Sequence, residues 1–323
     1  MHPQEHIQAL SGQVEAALKR LTLPDYPPDL YAPVRYTLEA GGKRIRPVCV
    51  LLAAELYGVS LETAMPAALA VEVFHNFTLL HDDIMDRADT RRGRPTVHRK
   101  WDENVAILSG DLMMGMSYDL LAQTGSPRLG IMIRQFHKMV MRLCEGQMLD
   151  MVFEKRMDVH ISEYLDMIDG KTAALLRCAF ELGGLLGGAS DEDRDALGAL
   201  GQHIGIGFQV QDDLLDLTAP IGFGKQKGGD LMQGKRTWLL LTALERASGP
   251  DLAFLQRTLT GGMAESEIPR AEALMEALEV TADAAKLAET QFLAAQSVLL
   301  RLPSSPVLDT LQTLIQSLQH RKQ

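Results

Sequence analysis

His75-Asn76-Phe77-Thr78-Leu79-Leu80-His81-Asp82-Asp83-Ile84-Met85-Asp86 closes a stretch, begun at Met65, that is apolar almost to its end. Its three carboxylates stand in a D-D-x-x-D pattern. On a helix, the first and last of them fall on one face, a turn apart. A second copy, Phe208-Gln209-Val210-Gln211-Asp212-Asp213-Leu214-Leu215-Asp216, lies in a similar apolar setting. Like charges at i, i+4 destabilise a helix by roughly a few tenths of a kcal/mol. Burying them without a partner costs far more. Hard cations are the simplest neutraliser, and magnesium favours carboxylate oxygen while sharing its shell with substrate phosphates.

Bulk properties agree with a helical protein. The chain has 323 residues, 46% hydrophobic and 23% charged, so it can bury a large core. Aromatics make up only 5% while Ala, Leu and Met are abundant, a balance that favours helix over strand. A formal charge of −10 argues against a general nucleic-acid binder. It does not exclude an anionic substrate, because local basic clusters can override the mean. Cys49, Cys144 and Cys178 lack metal-ligand spacing and read as buried thiols in a reducing compartment. The segment Met1 to Leu21 carries Glu5, Glu15, Lys19 and Arg20 and does not read as a signal peptide. No uninterrupted run of about 18 apolar residues predicts a transmembrane segment. The expected location is cytoplasmic.

Helical periodicity runs along most of the chain. It predicts helices over Ile7–Leu21, Leu30–Ala40 (ending at Gly41-Gly42), Pro47–Leu56 and Met65–Met85. Arg87–His98 reads as a loop. Further helices are expected at Leu108–Ala122, Leu129–Phe153, Ser162–Leu186, Gly201–Leu217 and Thr237–Arg246, with more after Asp251 and a break at Pro303 and Pro306. No β-hairpin signal is evident. The expectation is one all-α domain over residues 1–323.

Basic groups recur beside the acids. Gly41-Gly42-Lys43-Arg44-Ile45-Arg46-Pro47 places three cations at a helix junction, which suits an oxyanion. Arg91-Arg92-Gly93-Arg94-Pro95-Thr96 follows the first acid cluster, and Lys171-Thr172 follows a glycine within a helical stretch. Lys225, Lys227 and Lys235 follow the second cluster. Taken singly, each piece has an ordinary reading: a solvated helix end, a basic turn, a core histidine at His75. Taken in order, acids that could hold magnesium sit beside Arg and Lys that could clamp phosphate. That combination fits a substrate carrying a diphosphate.

The ordered set resembles the trans-prenyl diphosphate synthases, or polyprenyl synthetases. The matching residues are Gly41–Pro47, His75–Asp86, Arg91–Thr96, Gly146–Asp150, Lys171–Ala173, Phe208–Asp216 and Gly224–Thr237. The resemblance implies the isoprenoid synthase fold, a large helical bundle around a central active-site cavity, in a homodimer. It implies magnesium, three ions per active site, on Asp82, Asp83 and Asp86 and on Asp212, Asp213 and Asp216. Arg91, Lys171, Lys225 and Lys235 would contact an allylic diphosphate (dimethylallyl, geranyl or farnesyl). Lys43, Arg46, His75 and Arg92 would hold isopentenyl diphosphate. Thr172 and Gln209 would offer dipoles to a carbocation, Gln209 from the same helix face as Asp212. Asp82, Asp86, Lys171, Thr172, Gln209 and Asp212 are the implied catalytic set.

The helix before Asp82 would act as a ruler for the product. Phe77 lies five residues upstream, about 7.5 Å deeper, and Phe74 eight, about 12 Å. Phe77 suggests a capped pocket, with Thr78 beside it where farnesyl-making relatives often carry an aromatic. Geranylgeranyl diphosphate is the expected product and farnesyl diphosphate the next. Another helix, through Met113, Met114 or Ser117, could supply the floor instead. Two rival readings are a terpene cyclase and a non-catalytic regulatory subunit. The intact Asp212–Asp216 cluster with Lys43, Arg46 and Arg92 argues against the first, and the retention of all six acids argues against the second. The stretch Thr218–Gly224 departs from the usual family pattern.

Overall fold

The structure is a computed structural model that describes residues 2–218 and 227–321. Among these residues the chain is helical almost throughout, and the all-α expectation holds. The helices begin where side chains satisfy their first backbone donors. Ser60 accepts from the Thr63 amide at 3.3 Å, so the acid-bearing helix starts at Leu61, four residues before the apolar pattern suggested, and runs to Met85. Asp102 caps Glu103–Ala122 and Thr237 caps Trp238–Arg246 in the same way.

The chain divides into two compact units. The first comprises Met1–His137, Cys178–Gly198 and Leu302–Thr313. Its centre is the helix Leu61–Met85, which packs against Ile45–Leu56 and Glu103–Ala122. Its buried residues include Ala64, Ala67, Ala68, Val71, Val73, Phe74 and Leu80, so it is apolar on nearly every side, as a central core helix must be. Glu103–Ala122 is the one described helix long and apolar enough to cross a membrane by length and composition. Asp111 and Asp119 interrupt it, and its buried residues include Ser109, Met113, Ser117 and Leu121.

The second unit comprises Lys138–Arg177, Ala199–Arg301 and Leu314–Gln323. Within it Trp238–Arg246 packs on Ile161–Ile168 and on Val280–Leu299. The helices Leu129–Phe153, Ala174–Leu186, Asp191–Thr218 and Val307–Gln319 contribute residues to both units.

The helix expected from Gly201 already begins at Asp191, and two segments differ in type from the sequence reading. The segment after the first acid cluster is a small hairpin, not a plain loop. Thr90–Arg91 pairs antiparallel with Arg94–Pro95. Arg92 and Gly93 form its two-residue turn, with φ of 53° and 72°. Positive φ at both positions marks a type I′ turn, here built from Arg-Gly where Asn-Gly or Asp-Gly is the usual signal. The long helix expected over Ser162–Leu186 is interrupted by a π-turn at Asp169–Ala173, between Ile161–Ile168 and Ala174–Leu186. That turn lifts Lys171 and Thr172 out of regular helical register, a common device at functional positions.

The π-turn lies against the helix Leu129–Phe153 at Gly146. A Cβ on Gly146 would lie 2.3 Å from the Lys171 nitrogen and 2.8 Å from the Met167 carbonyl oxygen. Backbone atoms cannot yield as a flexible side chain can. Gly146→Ala is therefore expected to lower the unfolding free energy by about 1–3 kcal/mol. Gly12, exposed in the helix Pro3–Lys19, has nothing within 4 Å of such a Cβ. Gly12→Ala should instead stabilise by about 0.5–1 kcal/mol through helix propensity alone. Thermal or urea unfolding of both variants checks the opposite signs.

Candidate active site

In the first unit, three carboxylates gather at the C-terminal end of Leu61–Met85. Asp86 is the C-cap residue, and its amide reaches the Asp82 carbonyl at 2.8 Å. This is the negative pole of the helix, where added carboxylates are unfavourable. Asp83 is buried and accepts from Arg91 Nε at 2.8 Å. Burial pushes the Asp83 carboxyl above the usual range, and Arg91 opposes that shift. Asp82 is partly exposed and Asp86 exposed, so both reach solvent at the helix end.

A cationic pocket lies beside them. Arg46 NH1 approaches His75 Nε2 at 3.2 Å, and the buried Arg46 Nε has no hydrogen-bond partner. Burial first, then Arg46, Arg92, Arg91 and Arg44, hold the His75 imidazole well below its ordinary pKa. His75 is therefore neutral at pH 7 and accepts from Arg46 through Nε2. The Arg92 guanidinium donates to the Gly41 carbonyl and lies over Gly42, where a Cβ would meet it at 3.1 Å. Gly42 also has a φ of 148°, so a side chain there would be strained by the backbone and would crowd Arg92. Lys43 is exposed at the rim. Arg44, read from sequence as one of three oxyanion cations, is instead buried and ion-paired with Glu15 and Glu72. It belongs to the scaffold.

The hairpin that carries Arg91 and Arg92 is braced by Tyr36. The Tyr36 hydroxyl donates to the Pro95 carbonyl at 2.8 Å, and Arg94 and Lys100 each lie 3.9 Å from the Tyr36 ring centre. Upstream of the acids, Phe77 is half-buried and packs on Phe74 and His81 with centroids 5.3 and 4.7 Å apart. Phe74 is fully buried and meets Phe136 edge-on at 5.2 Å. The Thr78 hydroxyl donates to the His75 carbonyl at 2.8 Å. Met113 and Ser117 are buried, Met114 partly so.

In the second unit, a chain of hydrogen bonds runs through the other acid cluster. The Thr172 hydroxyl donates to Gln209 Oε1 at 2.8 Å, Gln209 Nε2 donates to Asp213 Oδ1 at 2.8 Å, and the Tyr164 hydroxyl donates to Asp213 Oδ2 at 2.5 Å. Gln209 thus bonds Asp213, one position beyond the Asp212 expected to share its face. Burial, then the charge of Asp230, pushes the Asp213 carboxyl up to about 8. Lys171 Nζ pairs with Asp150 at 2.5 Å, and Asp216 accepts from the Asp230 amide at 3.0 Å. Lys235 Nζ lies 3.7 Å from Asp230. Lys171, Thr172, Gln209, Asp213 and Lys235 line one small cavity. Lys225 falls outside the described residues.

Four participants lacked a sequence signal strong enough to assign. Tyr164 is a lone tyrosine in an apolar helix. Asp150 and Asp230 sit inside matched motifs without a distinct role. Arg321, read only as part of a basic tail, donates to Asp212 at 3.0 Å with its guanidinium 3.7 Å from the Phe208 ring centre.

Among the described residues no three His, Cys, Asp or Glu side chains form a closed metal-holding group. The donors are carboxylate oxygens spread along helix ends. Magnesium binds through one or two carboxylates and completes its shell with water and substrate phosphate, so this sparse oxygen set fits it. It does not fit zinc, which takes closed sets rich in nitrogen and sulfur.

Comparison with known proteins places the chain in a family. The family described as polyprenyl synthetase matches residues 27–278. A geranylgeranyl diphosphate synthase of Methanosarcina mazei is 46% identical over 251 residues, 77% of this chain and 78% of that protein. A geranylfarnesyl diphosphate synthase of Natronomonas pharaonis is 43% identical over 68% of this chain and 70% of its own. The crystal structure of a geranylgeranyl pyrophosphate synthase superposes with a TM-score of 0.92 at 36% identity, covering 98% of this chain and 99% of that one.

The His75 environment gives a pH prediction. Its folded pKa lies well below the ordinary 6.5, so below that value the unfolded chain binds a proton that the folded one refuses. Its contribution to stability is therefore full above pH 6.5 and is lost as pH falls below it. In His75→Gln, the drop in melting temperature between pH 7.5 and pH 5.5 should be smaller than in the parent protein. An equal drop would show that His75 is not held neutral.

Proposed function

The chain belongs to the polyprenyl synthetase family, and on that premise we propose that it is a magnesium-dependent trans-prenyltransferase. It joins isopentenyl diphosphate head to tail to an allylic diphosphate, with geranylgeranyl diphosphate as the product and farnesyl diphosphate the next shorter alternative. The observation that carries this reading is the pairing of opposites around His75. Carboxylates end one helix, and near them, beside His75, the buried Arg46 Nε has no hydrogen-bond partner, a donor that suits an anion.

Asp82, Asp83 and Asp86, with Asp212, Asp213 and Asp216, are the residues that would hold magnesium. When bound, magnesium supplies positive charge to the departing diphosphate as the allylic C–O bond ionises. Arg91, Lys171, Lys235 and Lys225 contact the allylic diphosphate. Lys43, Arg46, His75 and Arg92 hold isopentenyl diphosphate. The Thr172 proton points to Gln209, which leaves the Thr172 oxygen lone pairs free to face a carbocation. The isopentenyl double bond forms the new C–C bond to the allylic carbon. The released diphosphate then takes the proton that restores a double bond, so no protein acid–base pair is needed.

Phe77 caps the channel for the growing chain, in keeping with its half-buried position above the fully buried Phe74. The protein acts in the cytoplasm as a homodimer. Exposed Met141, Met148, Met151 and Val152 on one helix, and Ile107 and Leu108 on another, favour burial against a second copy.

Asp82→Ala should cut turnover by about two or more orders of magnitude with helical content unchanged, read by product assay and circular dichroism. Unchanged turnover contradicts the metal assignment. Phe77→Ala should lengthen the product beyond that of the parent, seen by chromatography of the dephosphorylated alcohols; an identical product would place the floor elsewhere.

A further inference from the structure

The cationic pocket is set in place by a residue outside it. Arg44 has a φ of 51°, a left-handed conformation that favours glycine, yet an arginine occupies it. Its guanidinium accounts for this. Nε donates to Glu15 at 2.8 Å, NH1 to Glu72 at 2.5 Å and NH2 to the Leu38 carbonyl at 3.0 Å. Every arm of the planar fork is used, an arrangement that lysine cannot reproduce. Arg44 is also the N-cap of Ile45–Leu56 and lies between Lys43 and Arg46. Fixing Arg44 therefore fixes the backbone from which both of those cations project.

Glu72 is the other end of this device. It is buried, one turn before His75 on Leu61–Met85, and also accepts from Asn76 Nδ2 at 3.0 Å. Its charge reaches Arg46 and Arg92 as well as Arg44. A buried carboxylate among arginines both orients them and offsets their mutual repulsion. Glu15 lies on the helix Pro3–Lys19, ahead of residue 27 where the family match begins.

We infer that Arg44, clamped between Glu15 and Glu72, is a positioning residue that holds Lys43 and Arg46 in register with His75 for isopentenyl diphosphate. The N-terminal helix thereby takes part in substrate affinity without touching substrate. This inference rests on the assignment of Lys43, Arg46 and His75 to isopentenyl diphosphate.

The sign of the effect separates positioning from simple electrostatics. Glu72→Gln keeps the shape and the acceptor but removes a negative charge near an anion site, so charge alone would tighten isopentenyl diphosphate. Positioning predicts the reverse. Calorimetric titration of isopentenyl diphosphate without magnesium should show affinity weakened by about ten-fold in Glu72→Gln. In Glu15→Gln, whose carboxylate is 30% exposed, the loss should be about three-fold. Steady-state assays should show the KM for isopentenyl diphosphate rising with it, while kcat and the KM for the allylic substrate stay within about two-fold. Unchanged or tighter isopentenyl diphosphate binding in both variants overturns the inference. So does a parallel loss of kcat and of both affinities in Glu15→Gln, which would mean a merely structural role. Should Glu72→Gln fail to fold, Glu15→Gln alone decides. Arg46→Ala tests the premise separately: if it leaves isopentenyl diphosphate affinity intact, the site assignment itself is wrong.

Discussion

Like charge held at close range is the constraint around which this protein is arranged. Asp82, Asp83 and Asp86 crowd the negative end of a long buried helix, and Asp213 lies buried close to Asp212 and Asp230. Each such group is costly without an opposite charge. Arg91 answers Asp83, while Tyr164 and Gln209 answer Asp213. The protein satisfies the inner carboxylate of each triplet from its own side chains. Asp82 and Asp86 are the more exposed members of the first triplet.

The cationic side follows the same rule with signs exchanged. Arg44, Arg46, Arg91 and Arg92 all bear on His75, and Glu72 is the buried counter-charge among them. A neutral imidazole is what such a setting permits. Gly42, lacking a Cβ, lets the Arg92 guanidinium lie on the backbone, and the Arg-Gly turn carries Arg92 there. His75, Arg91, Arg92 and Gly42 thus each have a local steric or electrostatic reason for their place, apart from any family precedent.

The all-α fold was legible because helical periodicity is strong and breaks are marked by proline and glycine. Leu129–Phe153 begins and ends where the pattern said. The start of Leu61–Met85 was misplaced because a serine cap outweighed the apolar pattern that begins at Met65. The hairpin at Thr90–Pro95 was missed because its turn is Arg-Gly, and its strands are too short to show alternation. The acids and basic motifs could be listed from sequence, since charge in an apolar stretch stands out. Their partners could not. Glu72, Tyr164 and Arg321 acquire their partners only where distant segments meet, and Arg44 is a scaffold cation because Glu15 and Glu72 close around it.

On the proposed function, the carboxylates of the first triplet bind a divalent cation that arrives with a diphosphate. Calorimetric titration of magnesium into the purified protein, with and without inorganic pyrophosphate, tests it most directly. Reciprocal coupling is predicted: pyrophosphate should tighten magnesium binding, magnesium should tighten pyrophosphate binding by the same factor, and Asp82→Asn should abolish the effect. Magnesium binding that is absent, or indifferent to pyrophosphate, would contradict the account.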